Sequence, residues 1–356
     1  MQKTNTRDDP RNATDEAAPA TGASSPASPD EVRVRRGCTI SLDPEAPWWQ
    51  RNDSIHFARL RDAAGQSPQA VAVVQSAVIL HGGMLKNSTE QAHIWVPWRR
   101  KTAAHDGPTL RALSKSDQRE RLRRRPVVNH RMDIDLEATT VIDGILVTDL
   151  DQTAVHAARF LAPDDAVVAV DSLLAVAVGR DRYWREHRSR VEEEARRVVR
   201  RWRRSLDGLR GRRGVAQARE VFASASALSE SALESEVRRI AHAAGFLKVE
   251  SQVEVATALG RRWVDLGMRG VPSGIEIHGD VKFEGEDGEV RRRHEMEREL
   301  ELSAAGFRVF RLSGSEVFDS RLVVEVLERC FGERRERVGR RCLWTPSERR
   351  MGRADR

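Results

Sequence analysis

The chain has 356 residues, of which 39% are hydrophobic and 32% charged, and its formal net charge is +7 at pH 7. This length predicts more than one domain, and the excess of basic residues is compatible with an anionic partner such as nucleic acid. A GC-rich genome would give the same excess of arginine, and the basic residues are interleaved with acids, so both explanations of the charge stay open. Three scattered cysteines without a C-x-x-C pair argue against a structural zinc site and a disulfide framework, and no apolar run reaches the roughly 18 residues that span a bilayer.

The first 32 residues are rich in Ala, Ser, Pro, Thr and Asp and contain no hydrophobic signal region. Such a composition cannot bury a core, so residues 1–32 are predicted to be disordered. Because no targeting or membrane-spanning segment is found, we expect a soluble cytoplasmic protein with no membrane partner.

Residues 33–179 are predicted to form a smaller α+β domain. A strand is predicted in "VRVRRGCTISL", followed by helices in "SIHFARLRDAAG" and "AVAVVQSAVILHG". Further strands are predicted in "QAHIWVPWRR" and "RPVVNHRMDI", on either side of a polar, basic insertion from Lys101 to Arg125. In "TTVIDGILVTDL", Asp143 and Gly144 predict a turn between two strands, and two helices follow in "QTAVHAARFLAP" and "DDAVVAVDSLLAVA".

Residues 180–226 are predicted to be a charged helical connector. The segment "VEEEARRVVRRWRRSLDGL" has apolar residues at helical spacing: Val191, Val198, Val199, Trp202 and Leu206. This pattern indicates a solvated amphipathic helix. A helix that binds nucleic acid has the same pattern, so both interpretations stay open at this point.

Residues 227–332 predict a helix, a meander of three strands, a long charged helix, one more strand and a final helix. This order is typical of an α/β domain with a mixed sheet flanked by helices. The remaining residues, 333–356, are strongly basic and are predicted to be a loose tail.

The stretch "WVDLGMRGVPSGIEIHGDVKF" contains charged residues inside two apolar strands. Because side chains alternate across a strand, Val264 and Leu266 are expected on one face with Asp265 on the other. In the next strand, Glu276 and His278 are expected to share a face. The Gly- and Pro-containing connection suits a hairpin, so these three polar side chains are predicted to lie side by side.

Two neighbouring carboxylates raise each other's pKa unless a cation lies between them. Oxygen ligands at this spacing suit Mg²⁺ (or Mn²⁺), which can activate water against a phosphodiester bond. Glu234 in the helical "SALESEVRR" is a candidate third acid. The alternative is an antiparallel sheet with a polar outer face, on which alternating charges are expected.

The region from Ser231 to Val317 resembles a bacterial family of very-short-patch-repair-like domains in the restriction-endonuclease-like PD-(D/E)xK superfamily. The resemblance rests on "SALESEVRR", "AAGF", "RRWVDLGM", "GIEIHGDVKF", "RHEMERELELSAAGFRVFRL" and the closing "SEV". The residues that match the family pattern are Glu234, Arg238, Asp265, Glu276, Gly279, Arg298, Gly306 and Arg311.

This resemblance implies a DNA endonuclease whose metal ligands are Asp265 and Glu276, with Glu234 as a helper. It further implies that His278 or Lys282 orients the water or the phosphate, and it assigns nucleic-acid contacts to Arg238, Arg298 and Arg311. His278 stands where the family has a second acid. Asp280 with Lys282 forms another acid-x-Lys pair, and both registers stay open.

The upstream region resembles abortive-infection AbiEi-type antitoxin domains. "QSAVILHG" is similar to their S-A-x-x-L-H-G element, and "DGILVTDLDQTAVHAARF" is similar to the element that follows. In such proteins a winged helix-turn-helix comes first, whereas here the preceding residues have low complexity. The resemblance implies a regulatory domain and a partner that is a cognate toxin or the product of an adjacent gene.

Two functions follow from these expectations. The first is a metal-dependent DNA endonuclease fused to an antitoxin-like region. The second is an inactive nuclease-fold module that binds DNA or a partner toxin, as a regulator of the type IV toxin–antitoxin kind. His278 in place of an acid and the missing helix-turn-helix favour the second function.

Overall fold

A computed structural model describes residues 31–35, 38–43, 45–97, 126–278 and 286–354. The predicted disorder over residues 1–32 lies outside these ranges, except for its last two residues, which begin a strand. The basic insertion from Lys101 to Arg125 also lies outside the described residues. The expected mixed α/β class is confirmed, because strands and helices alternate through most of the described chain.

The first sheet elements precede residue 150. Strands β1 (Glu31–Arg35) and β2 (Cys38–Ser41) form an antiparallel pair. A mixed five-stranded sheet has the order β5-β4-β3-β7-β6. The strands of this sheet are β3 (Val71–Ala72), β4 (Ala92–Trp95), β5 (Val127–His130), β6 (Thr139–Ile142) and β7 (Ile145–Thr148). Two helices pack beside them, α1 (Trp48–Gln66) and α2 (Gln75–Leu80).

Two details of this sheet test the sequence predictions. The turn at Asp143 and Gly144 is confirmed, and both residues have the positive φ that a tight hairpin requires, 50° and 74°. The single helix predicted in "AVAVVQSAVILHG" is wrong. Val74 has a φ of 53°, which ends β3 and starts α2, so the apolar run divides into a strand and a short helix.

Four helices follow: α3 (Leu150–Phe160), α4 (Pro163–Ala177), α5 (Arg188–Ser205) and α6 (Val215–Ser224). They share one apolar core, to which α5 contributes Val191, Val198 and Trp202. The predicted connector is therefore helical, but it is not a separate solvated element. Its apolar stripe is buried against α4 and α6, while its charged face remains exposed.

The last domain has the predicted element order, which is now confirmed for its described part. It contains α7 (Ala232–Ala244), β8 (Glu250–Thr257), β9 (Gly260–Gly267), β10 (Ser273–His278), α8 (Glu286–Ala304), β11 (Arg308–Ser313) and α9 (Ser320–Phe331). The sheet order is β11-β10-β9-β8, with β10 and β11 parallel and the other pairs antiparallel. Helices α7 and α9 pack in one apolar cluster with the sheet, and α8 contributes Leu302 to another.

The predicted loose tail is wrong for residues 333–354. Leu343 is fully buried, and its carbonyl oxygen accepts a hydrogen bond of 2.5 Å from Arg239. Helix α10 (Pro346–Ala354) places Glu348 2.7 Å from the same guanidinium. The basic composition misled the prediction because the partner that anchors the segment lies a hundred residues upstream. Among the ten described α-helices, none has the length and apolarity needed to cross a bilayer.

Candidate functional site

The adjoining strands β9 and β10 bring Asp265 and Glu276 to one cavity of about 220 Å³. Their ladder pairs Gly267 with Gly274 and Leu266 with Ile275, and the two acids follow directly after this last pair. There the backbone N–H of Ile277 donates to Asp265 Oδ2 at 2.9 Å. The structure thus brings the two predicted carboxylates together.

Strand alternation is interrupted beside this pair, at Gln252 of β8. The ladder between β8 and β9 pairs Ser251 with Leu266 and then Val253 with Val264, while Gln252 and Asp265 are left unpaired between them. Gln252 has a φ of 56°, in the left-handed region that side-chain-bearing residues seldom adopt. The expected common face for Val264 and Leu266 is not observed, because these residues pack in different apolar clusters.

The side chain of Gln252 bridges two acids. Its Nε2 lies 3.2 Å from Glu234 Oε2 and 3.3 Å from Asp265 Oδ1. Sequence reasoning missed this residue, and the only signal for it was an amide side chain within the predicted strand "VESQVEV". The amide is the direct structural link between the acid on α7 and the acid on β9.

Glu234 occupies the first turn of α7, where Ser231 caps the helix by accepting from the Glu234 N–H. Its side chain is buried and accepts a 3.0 Å hydrogen bond from the backbone of Glu230. Burial, and next the negative charge of Asp265, raise the pKa of Glu234 to about 7. The described wall of the cavity does not include Glu234, so Gln252 connects it to the site.

The two acids of the cavity are also difficult to ionise. The pKa of Glu276 is raised to about 7, mainly by burial; the positive charge of Arg298 opposes this shift, and the negative charge of Asp265 adds to it. Burial likewise raises the pKa of Asp265. Arg298 of α8 places Nη2 2.6 Å from Glu276 Oε1 and also donates to the Trp263 carbonyl oxygen. The cavity therefore already attracts one positive charge.

The remaining predicted residues divide into those at the cavity and those outside it. Arg311 and His278 both line the cavity. Arg311 is paired with Glu299 at 2.6 Å, and the buried Nε2 of His278 has no hydrogen-bond partner among the described residues. Lys282 lies outside the described residues, as does the alternative acid-x-Lys register that includes it.

Arg238 is in the protein interior, and its expected contact with nucleic acid is not supported. Only 2% of its surface is exposed. Its guanidinium forms a buried ion pair with Asp171 of α4 and donates to the carbonyl oxygen of Ser224. A phosphate would have to displace that ion pair, so Arg238 joins α7 to the upstream helices instead.

The segment before α5 and the first residue of α5 also contact the site. Arg185 places Nη2 3.1 Å from Gln252 Oε1, and Arg188 Nη1 lies 2.5 Å from the Gln252 carbonyl oxygen. The rings of Trp184 and Trp263 are 5.8 Å apart, centroid to centroid. Gln252, which bridges the two acids of the last domain, is therefore also in contact with the upstream helical region.

The donor set fits one hard cation between two carboxylates. Among the described residues, no group of three or more His, Cys, Asp or Glu side chains is close enough to form a complete protein cage. Mg²⁺ does not need such a cage, because it keeps several waters and takes phosphate oxygens beside one or two carboxylates. The mutual repulsion of Asp265 and Glu276 is the property that a bound cation would relieve.

The fold and the cavity together define a mixed α/β protein with a buried pair of carboxylates at the junction of two strands. The chain matches no protein-family model, no curated protein and no solved structure.

Proposed function

We propose that this protein is a metal-dependent endonuclease that hydrolyses phosphodiester bonds in DNA, with an antitoxin-like regulatory region over residues 33–179. The observation that carries the proposal is the convergence of Asp265 and Glu276 in one buried cavity. Their raised pKa values indicate that ionising both is costly unless a cation is present. The very-short-patch-repair-like motif order supports the same chemistry.

Asp265 and Glu276 would hold the divalent cation, Mg²⁺ or Mn²⁺. When bound, such an ion stabilises charge on the phosphate and lowers the pKa of a water nucleophile. The Ile277 N–H fixes the second oxygen of Asp265, which orients that carboxylate towards the cavity. Gln252 keeps Glu234 next to Asp265 and so maintains the negative potential of the site.

The cationic side chains of the cavity would position the phosphate. Arg298 already donates to Glu276 and can turn towards a phosphate oxygen when the carboxylate gains another counter-charge. Arg311, the parallel-strand partner of Glu276, lies beside it on β11. His278 has a free ring nitrogen within the same cavity, which suits hydrogen bonding to the attacking water or to a phosphate oxygen.

The test is nicking of supercoiled plasmid DNA by the full chain with Mg²⁺ or Mn²⁺. Glu276→Ala and Asp265→Ala are expected to reduce nicking to background and to weaken Mn²⁺ binding measured by calorimetry. Glu254→Ala is the matched control, because Glu254 is an acid of the same sheet whose salt bridge to Arg261 lies outside the cavity. A wild-type protein that leaves plasmid DNA intact with both metals contradicts the proposal.

The second candidate function is an inactive nuclease-fold module that binds DNA or a partner toxin. The pairing of Arg298 with Glu276 favours it, because a guanidinium at 2.6 Å supplies the counter-charge that a metal would otherwise provide. This candidate predicts DNA binding or toxin co-purification without metal-dependent cleavage. It also predicts that Glu276→Ala destabilises the fold, by removing the carboxylate that pairs with Arg298, and that added Mn²⁺ does not stabilise the wild type.

A further inference from the structure

A groove of about 710 Å³ lies between α5 and the last domain, apart from the carboxylate cavity. Of the described residues that line it, seven are arginines and two are glutamates. Four of the arginines project from one face of α5 and recur at helical spacing: Arg188, Arg196, Arg200 and Arg203. The opposite face of α5 is buried in the core, so this basic row is held on a fixed support.

The ion pairs within the groove leave part of its positive charge unmatched. Glu192 pairs with Arg188 at 2.7 Å, and Glu250 pairs with Arg269 at 2.8 Å. Arg203 and Arg340, by contrast, form no ion pair with any described residue. A concave surface with unmatched guanidinium groups concentrates positive potential and attracts a polyanion.

The groove ends beside the carboxylate cavity. Ser251 lines it, and Arg188, which also lines it, donates to the carbonyl oxygen of Gln252. Gln252 in turn contacts Asp265, so one residue separates the basic groove from the acidic site. A chain of phosphates bound along α5 would therefore approach the carboxylates from that side.

We propose that this groove binds one sugar-phosphate strand of duplex DNA. Guanidinium groups in a row suit phosphates because each offers several N–H donors in a planar fork. The inference rests on the proposed function for the choice of DNA as the polyanion, and it adds a binding surface separate from the catalytic cavity. Arg203 and Arg340 bind phosphates, in place of the buried Arg238.

The test compares two double variants of the full chain. Arg203→Ala with Arg340→Ala removes the two unpaired groove arginines. Arg204→Ala with Arg341→Ala removes their immediate chain neighbours, which are exposed and do not line the groove. Both doubles lose the same charge, so only position distinguishes them. Binding of a labelled duplex of about 20 base pairs is measured by fluorescence anisotropy in EDTA, which prevents cleavage, at several salt concentrations.

The groove double is expected to bind duplex DNA about tenfold more weakly near physiological salt. Its plot of log K against log salt should be shallower by roughly 1.8, because each lost phosphate contact contributes about 0.9. The neighbour double should stay within about twofold of wild type, and the conservative double Arg203→Lys with Arg340→Lys should retain most of the affinity. Urea unfolding checks that all variants are folded.

Two outcomes overturn the inference: equal weakening in both doubles, or unchanged binding in the folded groove double. The nicking assay distinguishes this failure from failure of the proposed function. Duplex binding that depends on Arg203 and Arg340, without nicking by the wild type, leaves the groove assignment standing and removes the endonuclease. Nicking by the groove double with an unchanged KM for DNA removes the groove assignment and leaves the endonuclease standing.

Discussion

Gln252 has a backbone conformation that side chains seldom adopt within a strand. A left-handed φ costs about 1 kcal/mol or more for a residue with a Cβ. The conformation is held by contacts with four residues: the acids Glu234 and Asp265, and the guanidinium groups of Arg185 and Arg188. Such strain is typical of positions whose geometry serves a site.

Substitutions at position 252 separate the backbone cost from the side-chain bridge. Gln252→Gly and Gln252→Ala both remove the amide, but glycine adopts the left-handed φ without a steric penalty. We therefore expect Gln252→Gly to be more stable than Gln252→Ala by about 1 kcal/mol in urea unfolding, and both to lose metal-dependent nicking. An alanine variant as stable as the glycine variant would show that the strand relaxes at this position.

The sequence identified Asp265 and Glu276 because alternation and an eleven-residue gap are local information. It could not identify Gln252, whose importance arises from a distorted ladder step. Nor could it place Arg238, because the residue that neutralises its charge, Asp171, is 67 positions away. Contacts between distant residues decide whether a basic side chain is buried or free to bind a ligand.

At the scale of elements, α5 shows how a strongly charged helix can belong to a core. Trp202 is fully buried, its ring packs 5.7 Å from that of Phe222, and its Nε1–H donates to Asp151 at 2.7 Å. The apolar spacing predicted the helix correctly, but composition suggested a solvated connector. Only four residues of α5 are buried, so the average composition of this charged segment does not reveal its apolar stripe.

Two tryptophans test this assignment. Trp202→Ala is expected to destabilise the fold by about 3–5 kcal/mol, because it opens a cavity and leaves Asp151 without one donor. Trp49→Ala, at a position that is 52% exposed, is expected to change stability by about 0.5 kcal/mol or less. Urea unfolding of both variants measures the difference, and similar small losses in both would mean that α5 is loosely attached.

At the scale of the whole molecule, several buried histidines are held neutral. Burial is the main cause that lowers the pKa of His56 to about 4 and that of His93, His156 and His242 to about 3. Neighbouring positive charges or imidazoles add to the effect. When the pH falls below about 6.5, the unfolded chain binds protons that the folded chain does not, so stability decreases towards pH 4.

We expect the free energy of unfolding to fall on acidification by up to about 1.4 kcal/mol per pH unit for each such histidine. Glu234 and Glu276, whose raised pKa values act in the opposite direction between about pH 7 and 4.5, offset part of this loss. His156→Gln should flatten the dependence between about pH 7 and 5, whereas the exposed His187→Gln should leave it unchanged. Parallel profiles for His156→Gln and wild type would contradict the assignment.

The element order of the last domain followed from hydrophobic periodicity, because each of its strands and helices has its own local pattern. The packing of the segment after α9 could not be predicted in this way, because its attachment depends on single residues that contact distant partners. Leu343 fills a buried position, Cys342 donates its N–H to Glu220, and the backbone of Arg340 bonds to His242. These few contacts attach the segment to the rest of the protein, and no local sequence pattern indicates them.

The positions in the chain of the groups that pair with the Arg239 guanidinium have a consequence for biosynthesis. Glu236 lies on the same helix, but Leu343 and Glu348, which complete the set of partners, are translated about a hundred codons later. Until the ribosome has released the chain beyond Glu348, α7 contains a guanidinium whose burial is only partly compensated. The nascent domain therefore cannot reach its final packing until Glu348 has left the ribosome, and messages truncated before that codon should yield polypeptides that chaperones and proteases recognise.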